Sequence, residues 1–174
     1  LDGSEQQITN GNWEVTSFHG VDSDKMEIYF TSTEEGSINR TLYSQHLDTD
    51  IKTKLSTENG TNNSSFSKGL KYYMNSVSTA NSAPVYTLHT ADGKKLKTLE
   101  DNSDFNTNML DFNLTKKEFF TIKTKDAELN AWMIKPPNFD KNKEYPLFMF
   151  LYGGPGSQQV TNSFGWTNYY WYQM

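Results

Sequence analysis

The pattern that points most directly to chemistry is a glycine-rich turn, Gly153-Gly154-Pro155-Gly156, at the end of the apolar run Leu147-Phe148-Met149-Phe150-Leu151-Tyr152. The run is apolar on both faces, as expected of a strand buried in the middle of an α/β sheet. Glycines allow positive φ and close approach of backbone to a ligand, and the proline stiffens the turn. Folds of this kind place their chemistry at the carboxyl ends of central strands. A loop there can donate hydrogen bonds to the oxyanion of a tetrahedral intermediate. Its competing role is a plain tight turn, with Tyr152 an aromatic cap on a buried strand.

The rest of the chemical inventory is sparse. The 174 residues contain no cysteine, so disulfides, thiolate zinc sites and a thiol nucleophile are excluded. Ser157 follows Gly156, but Gln158-Gln159 come next, and no Gly-x-Ser-x-Gly elbow occurs in the sequence. Of the three histidines, His46 and His89 fall in matching apolar-Tyr-x-x-His segments and His19 stands alone. Equivalence by repeat favours shared packing over a metal site. Lys141 and Lys143 read as solvated loop charges. The Asn-x-Ser/Thr triplets at Asn39, Asn59, Asn62, Asn63 and Asn113 are what an Asn-rich chain produces by chance. No cofactor or metal motif is present.

Composition narrows the class of protein. Sixteen Lys and Arg stand against 21 Asp and Glu, a net charge of −5, without the clustered cations that nucleic acid requires. Aromatic residues make up 14% of the chain, which excludes acidic disorder over most of its length. No apolar run approaches the roughly 20 residues of a membrane helix. The opening Leu1-Asp2-Gly3-Ser4 resembles the middle of a folded domain more than a leader. The closing Tyr169-Tyr170-Trp171-Tyr172-Gln173-Met174 has no cap and reads as a cut inside an element.

A repeat supplies the elements that come first. Leu42-Tyr43-Ser44-Gln45-His46 matches Val85-Tyr86-Thr87-Leu88-His89 at an offset of 43, and Tyr29 and Tyr72 in the preceding strands have the same offset. Each pair is followed by a turn, Asp48-Thr49-Asp50 or Ala91-Asp92-Gly93, and then a Lys-rich strand. Four short strands in about 43 residues have the length of one β-propeller blade. Residues 1–9 then read as the outer strand of one blade, about 10–57 as a second and about 64–101 as a third. Two complete blades cannot close a ring. An ordinary antiparallel sandwich is the alternative.

Residues 101–108 are polar, turn-rich and aperiodic, as in a linker. Two strands then flank Lys125-Asp126-Ala127-Glu128 as a hairpin: Phe119–Thr124, and Leu129–Ile134, which Pro136-Pro137 ends. The predicted fold is therefore mainly β. Residues 1–105 are two four-stranded propeller blades with the edge of another. Residues 106–174 are a linker and the first strands of an α/β-hydrolase domain.

This combination resembles the dipeptidyl peptidase IV branch of the prolyl oligopeptidase family of serine peptidases over nearly the whole chain. Ile8 to Val15, Arg40-Thr41-Leu42-Tyr43, Pro84 to His89 and Leu99-Glu100-Asp101-Asn102 are similar to its late blades and propeller exit. Pro136 to Lys141, Tyr145-Pro146-Leu147 and Tyr152 to Gln158 resemble the opening of its hydrolase domain, the last most specifically. The resemblance implies release of N-terminal dipeptides with Pro, or less well Ala, in second position. The substrates would be peptides and not nucleic acid. It admits a homodimer of the intact protein, and it implies that Tyr152 lends its hydroxyl to the oxyanion hole. The Ser-Asp-His triad and the acidic residues that hold the substrate amine have no counterparts in these residues, so the chain by itself is expected to be inactive. Two alternatives stay open. One is another peptidase of the family, acylaminoacyl or oligopeptidase; the other is a binding protein that has lost the nucleophile. The Lys- and Asn-rich composition suggests a bacterial source and a periplasmic or secreted protein.

Overall fold

The computed structural model describes residues 3–154 and 156–174. Alternating, β-branched and aromatic sequence between Gly, Asp and Asn turns builds its first hundred residues as two open antiparallel sheets. Strands β1 (Val15–Asp22), β2 (Glu27–Ser32), β3 (Thr41–His46) and β4 (Lys52–Lys54) form the first in chain order. The second, also in chain order, is β5 (Thr61–Phe66), β6 (Tyr72–Thr79), β7 (Ser82–Thr90) and β8 (Lys95–Glu100). Both strand quartets expected from the repeat are present. Residues 3–9, expected as an outer strand, carry no strand; among their ties is the hydrogen bond that Gln45 Nε2 donates to the Ile8 carbonyl at 2.9 Å. Leu1 and Asp2 lie outside the described residues.

Strand pairing shows which face of each sheet is buried. Tyr29 opposes Ser44 and Thr31 opposes Leu42, so these side chains share one face. That face packs on the second sheet: Tyr29, Leu42 and Leu55 form one cluster with Tyr73 and Ala91, edged by Phe66 and Leu70. Tyr29 and Leu42 are both 0% exposed. The opposite face of the first sheet holds Ile28, Phe30 and Tyr43, covered by Trp13, whose ring lies parallel to Phe30 at 6.3 Å. Burial and the hydrogen bond to Glu27 push the Tyr29 hydroxyl pKa far up, and burial with the bond to Glu35 does the same for Tyr43. Burial and the negative field of Asp92 and Glu58 push the Tyr73 phenol, which is without a hydrogen-bond partner among the described residues, up to about 12.

Pairing also corrects the repeat. Tyr29 lies on the first sheet's face toward the second, and Tyr72 on the second sheet's face away from the first, so an offset of 43 suits this strand. It fails on the next one. Tyr43 opposes Phe30 and is 3% exposed, whereas Tyr86 opposes Ser76 on the other kind of face and is 39% exposed. The β2–β3 connection is the long loop 33–40, while β6 and β7 continue almost to a tight turn at Ala80-Asn81 with a bulge beside it. A one-residue change in pairing turns every side chain to the opposite face, so a sequence match across loops of different length does not preserve the face. The same shift separates the histidines. His46 Nδ1 accepts from the amides of Asp48 and Thr49, whereas His89 stacks on Tyr73 at 4.8 Å and bonds to Thr87 and Gly93. His19, bonded to Thr31 and tilted against Phe66, has its pKa lowered by burial. His19 and His89 thus pack against aromatic rings, while His46 closes its turn through hydrogen bonds, so the two repeat histidines do not share one role.

Gly60 sets where the second sheet begins. Its φ is 137°, a value that favours glycine, and a Cβ there would lie 2.3 Å from the Ser78 carbonyl oxygen. Backbone cannot yield as a side-chain tip can. Gly60→Ala is expected to cost at least about 1–3 kcal/mol, lowering the melting temperature of the intact protein. An unchanged melting temperature would show that this turn relaxes freely.

Beyond the sheets, residues 101–108 differ from the aperiodic linker expected. Ser103–Met109 form a short helix, α1, followed by a 3-10 turn over Leu110–Phe112. Carboxylates start it: Glu100 accepts from the Asn102 amide at 2.8 Å and Asp101 from the Ser103 amide at 2.9 Å, satisfying donors that a helix start leaves open. The hairpin is as expected, with β9 (Lys117–Lys123) paired to β10 (Glu128–Ile134) and Glu128 opposite Lys123. Helix α2 (Trp166–Trp171) closes the described fold.

Candidate active-site loop

Residues 147–152 were expected as a strand buried on both faces, and the structure corrects this. They form no ladder, and Leu147, Leu151 and Tyr152 are 82%, 73% and 60% exposed. A segment apolar on both faces becomes a central strand only with neighbours on both edges and layers on both faces. The described residues supply neither. The hairpin β9–β10 is a separate two-stranded sheet.

Tyr152 folds back over its own loop. A Cβ on Gly154 would lie 2.7 Å from the phenol oxygen and 2.5 Å from Cε1, so the absence of a side chain at Gly154 lets the ring lie there. The Ser157 amide donates to the Gly154 carbonyl at 3.3 Å, closing the turn, and Gly156 has φ 75°. Pro155 lies outside the described residues. The Ser157 hydroxyl accepts from Gln159 Nε2 at 2.8 Å. The described hydrogen bonds of the histidine rings all lie within the two sheets and their turns, so this structure brings no histidine to a serine of the loop.

After the turn the chain is held at many points. Gln158 Oε1 accepts from Arg40 Nη2 at 2.6 Å, and its Nε2 donates to the carbonyls of Ser37 and Val160 at 2.8 and 2.9 Å. Arg40 also donates to the Ser37 and Asn39 carbonyls, which fixes the guanidinium over the β2–β3 loop. Asn162 donates from its amide to the Ile38 carbonyl at 2.8 Å and from Nδ2 to Asn39 Oδ1 at 3.0 Å. Its Oδ1 accepts from the Ala80 amide and its carbonyl from the Thr61 hydroxyl, both at 3.0 Å. Phe164, 9% exposed, packs edge-on to Phe105 of α1 at 6.0 Å and tilted to Tyr169 at 5.4 Å.

A second set of contacts seats the hairpin. Asn81 and Lys117 exchange two hydrogen bonds, from the Lys117 amide at 2.8 Å and from Asn81 Nδ2 at 3.0 Å. Lys117 Nζ lies 4.7 Å from the Trp132 ring centroid and 5.8 Å from that of Tyr169, and burial lowers its pKa. Gln173 bonds both the amide and the carbonyl of Thr115, tying the residues after α2 to the start of the hairpin. Sequence reasoning singled out Tyr152 and missed Gln158, Asn162, Asn81 and Lys117. Scattered polar residues carry no periodicity, and their partners lie up to 123 residues away.

Among the described residues no group of three or more His, Asp or Glu side chains is placed to hold a metal ion. No helix of the described residues is long and apolar enough to cross a membrane. What the loop can present chemically is the exposed Tyr152 phenol, a hydrogen-bond donor.

Residues 1–84 match the family model described as the dipeptidyl peptidase IV N-terminal region. The chain is 39% identical over 166 residues to dipeptidyl peptidase 4 of Trichophyton equinum, covering 92% of this chain and 21% of that protein. It is 37% identical over 172 residues to a probable dipeptidyl-aminopeptidase B of Botryotinia fuckeliana, covering 95% of this chain and 19% of that one. The crystal structure of Porphyromonas gingivalis dipeptidyl peptidase 4 superposes with a TM-score of 0.88 at 40% identity, over 95% of this chain and 24% of that chain. A Bacteroides ovatus structure at 24% identity and TM-score 0.76 shares the fold. The chain thus spans about a fifth to a quarter of the length of these relatives.

Proposed function

Because the chain belongs to the dipeptidyl peptidase IV family, we propose that the protein it is part of is a serine exopeptidase that releases N-terminal X-Pro, and less well X-Ala, dipeptides through an acyl-enzyme. The observation that carries this is the 40% identity at TM-score 0.88 over 95% of the chain, together with the Tyr152-Gly153-Gly154-Pro155-Gly156 loop. On this reading the two sheets are late propeller blades, with residues 1–105 the propeller part. The apolar face of Tyr72, Met74 and Tyr86 then awaits a further blade. Residues 106–174 open the hydrolase domain, and the exposed run 147–152 becomes a central strand once the rest of its sheet is beside it. Tyr152 donates its hydroxyl to the oxyanion of the tetrahedral intermediate. Nucleophile, base, orienting acid and amine anchor come from other parts of the protein. Peptides are the proposed partners, a homodimer the proposed assembly and the periplasm or exterior of a bacterium the proposed location.

The test uses two samples. The intact protein is expected to release a chromophore from a Gly-Pro substrate and to take up a serine-directed phosphonate at one site. The 174-residue chain should do neither, since it has no Gly-x-Ser-x-Gly elbow. An intact protein inert to both reagents would favour a binding protein. Stoichiometric labelling of any serine in the short chain would overturn the assignment of the nucleophile to another segment.

A further inference from the structure

We infer that Asn162, assisted by Gln158, is a positioning residue for Tyr152: it pins the loop that carries the phenol to the two β-sheets. This rests on the proposed function, because it concerns how the oxyanion donor is held. Asn162 uses its backbone amide, its carbonyl and both ends of its side chain, and each goes to a different residue. Ile38 and Asn39 belong to the β2–β3 loop of the first sheet; Thr61 opens β5 and Ala80 lies in the β6–β7 turn of the second. Two of those partners are backbone groups, the Ile38 carbonyl in the β2–β3 loop and the Ala80 amide just past the end of β6. Arg40, which continues into β3, also anchors the pair of sheets: its amide donates to the Gly60 carbonyl at 3.0 Å, and its carbonyl accepts from the Asn62 amide. Gln158 therefore grips the same rigid corner through Arg40 and Ser37.

Among the described residues little else ties the loop after Gly153, and on the proposed reading strand 147–152 fixes only its amino end. Tyr152 is 60% exposed and rests on Gly154, and the turn between Gly154 and Ser157 closes on one long hydrogen bond. A glycine-rich turn is conformationally soft. The distance between the phenol oxygen and a reacting carbonyl then depends on where the carboxyl end of the loop is fixed. Displacement of a catalytic group by about 1 Å costs on the order of a hundredfold in rate. The sheets thus contribute to catalysis as a foundation for the donor.

A double-mutant cycle on the intact protein tests this, with kcat and KM for a Gly-Pro substrate taken per phosphonate-titrated site. Asn162→Ala is expected to lower kcat by about ten- to a hundredfold with KM changed much less. Gln158→Ala, at an exposed position that leaves folding intact, should lower it in the same sense by a smaller factor. In a Tyr152→Phe background both substitutions should cost almost nothing further, because the donor they position is already gone. Equal fold-losses in the two backgrounds would overturn the inference and leave Asn162 as a structural tie. If Tyr152→Phe alone leaves kcat unchanged, the loop is not the oxyanion donor; the underlying reading fails there, and the positioning role fails with it. Should Asn162→Ala not fold, the Gln158→Ala arm of the cycle gives the answer.

Discussion

Replacing Tyr152 by Phe in the intact protein is expected to lower kcat for a Gly-Pro substrate by about a hundred- to a thousandfold. An oxyanion donor of this kind contributes about 2.7–4 kcal/mol to the transition state. The substitution removes one hydroxyl and almost no volume, so the loss arises where negative charge has developed and little of it in ground-state binding. KM should change much less than kcat. Melting temperature should hold nearly constant, because Phe keeps the ring that lies over Gly154 and loses only a hydroxyl that faces the site. A strand-capping tyrosine predicts the reverse, with stability falling and kcat per folded molecule preserved. A Phe variant within about threefold of the parent kcat would end the catalytic assignment.

The largest expected effect on stability falls on the cluster between the sheets. Leu42 is 0% exposed, packs with Tyr29, Leu55 and Tyr73, and its amide donates to the Ser56 hydroxyl at 2.9 Å. Leu42→Ala removes buried methyl groups and leaves a cavity walled by large rings that cannot easily collapse. The expected cost is about 2–5 kcal/mol. A melting temperature averages over the whole protein, whereas hydrogen exchange reads individual strands. Native-state hydrogen exchange on β2, β3 and β6 is the better measurement. Protection of their most stable amides should fall by at least about thirtyfold. Leu110→Ala, at a residue 79% exposed, is the control and should stay within about 0.5 kcal/mol of the parent. A Leu42 effect no larger than the Leu110 effect would show that the inter-sheet cluster does not hold the two sheets together.

Several features are legible in the amino-acid sequence alone. Alternating Tyr, Phe and Thr between Asp, Asn and Gly turns specified eight strands in two quartets, because strand pairing in chain order needs only short loops and a buried face. The hairpin followed from the same logic, and Pro136-Pro137 lies just beyond its end at Ile134. Tyr152 stood out because a glycine turn after an apolar run is a local pattern. The helix over Ser103–Met109 was missed, since its helix-start contacts come from Glu100 and Asp101 and not from an apolar stripe.

Face and position belonged to the tertiary structure. Tyr43 and Tyr86 look alike in sequence, yet one is buried and the other exposed, because hairpin length sets pairing and pairing sets the face. Residues 147–152 have the composition of a buried strand and remain open, since a strand is made by its neighbours and not by its own side chains. Asn162 and Gln158 have no local signature at all; only folding brings them to Ile38, Asn39, Arg40, Thr61 and Ala80. Hydrophobic periodicity is a property of adjacent residues and survives in one dimension. Hydrogen bonds across a hundred residues depend on the summed geometry of every strand and turn between them, and that sum exists only in the folded chain.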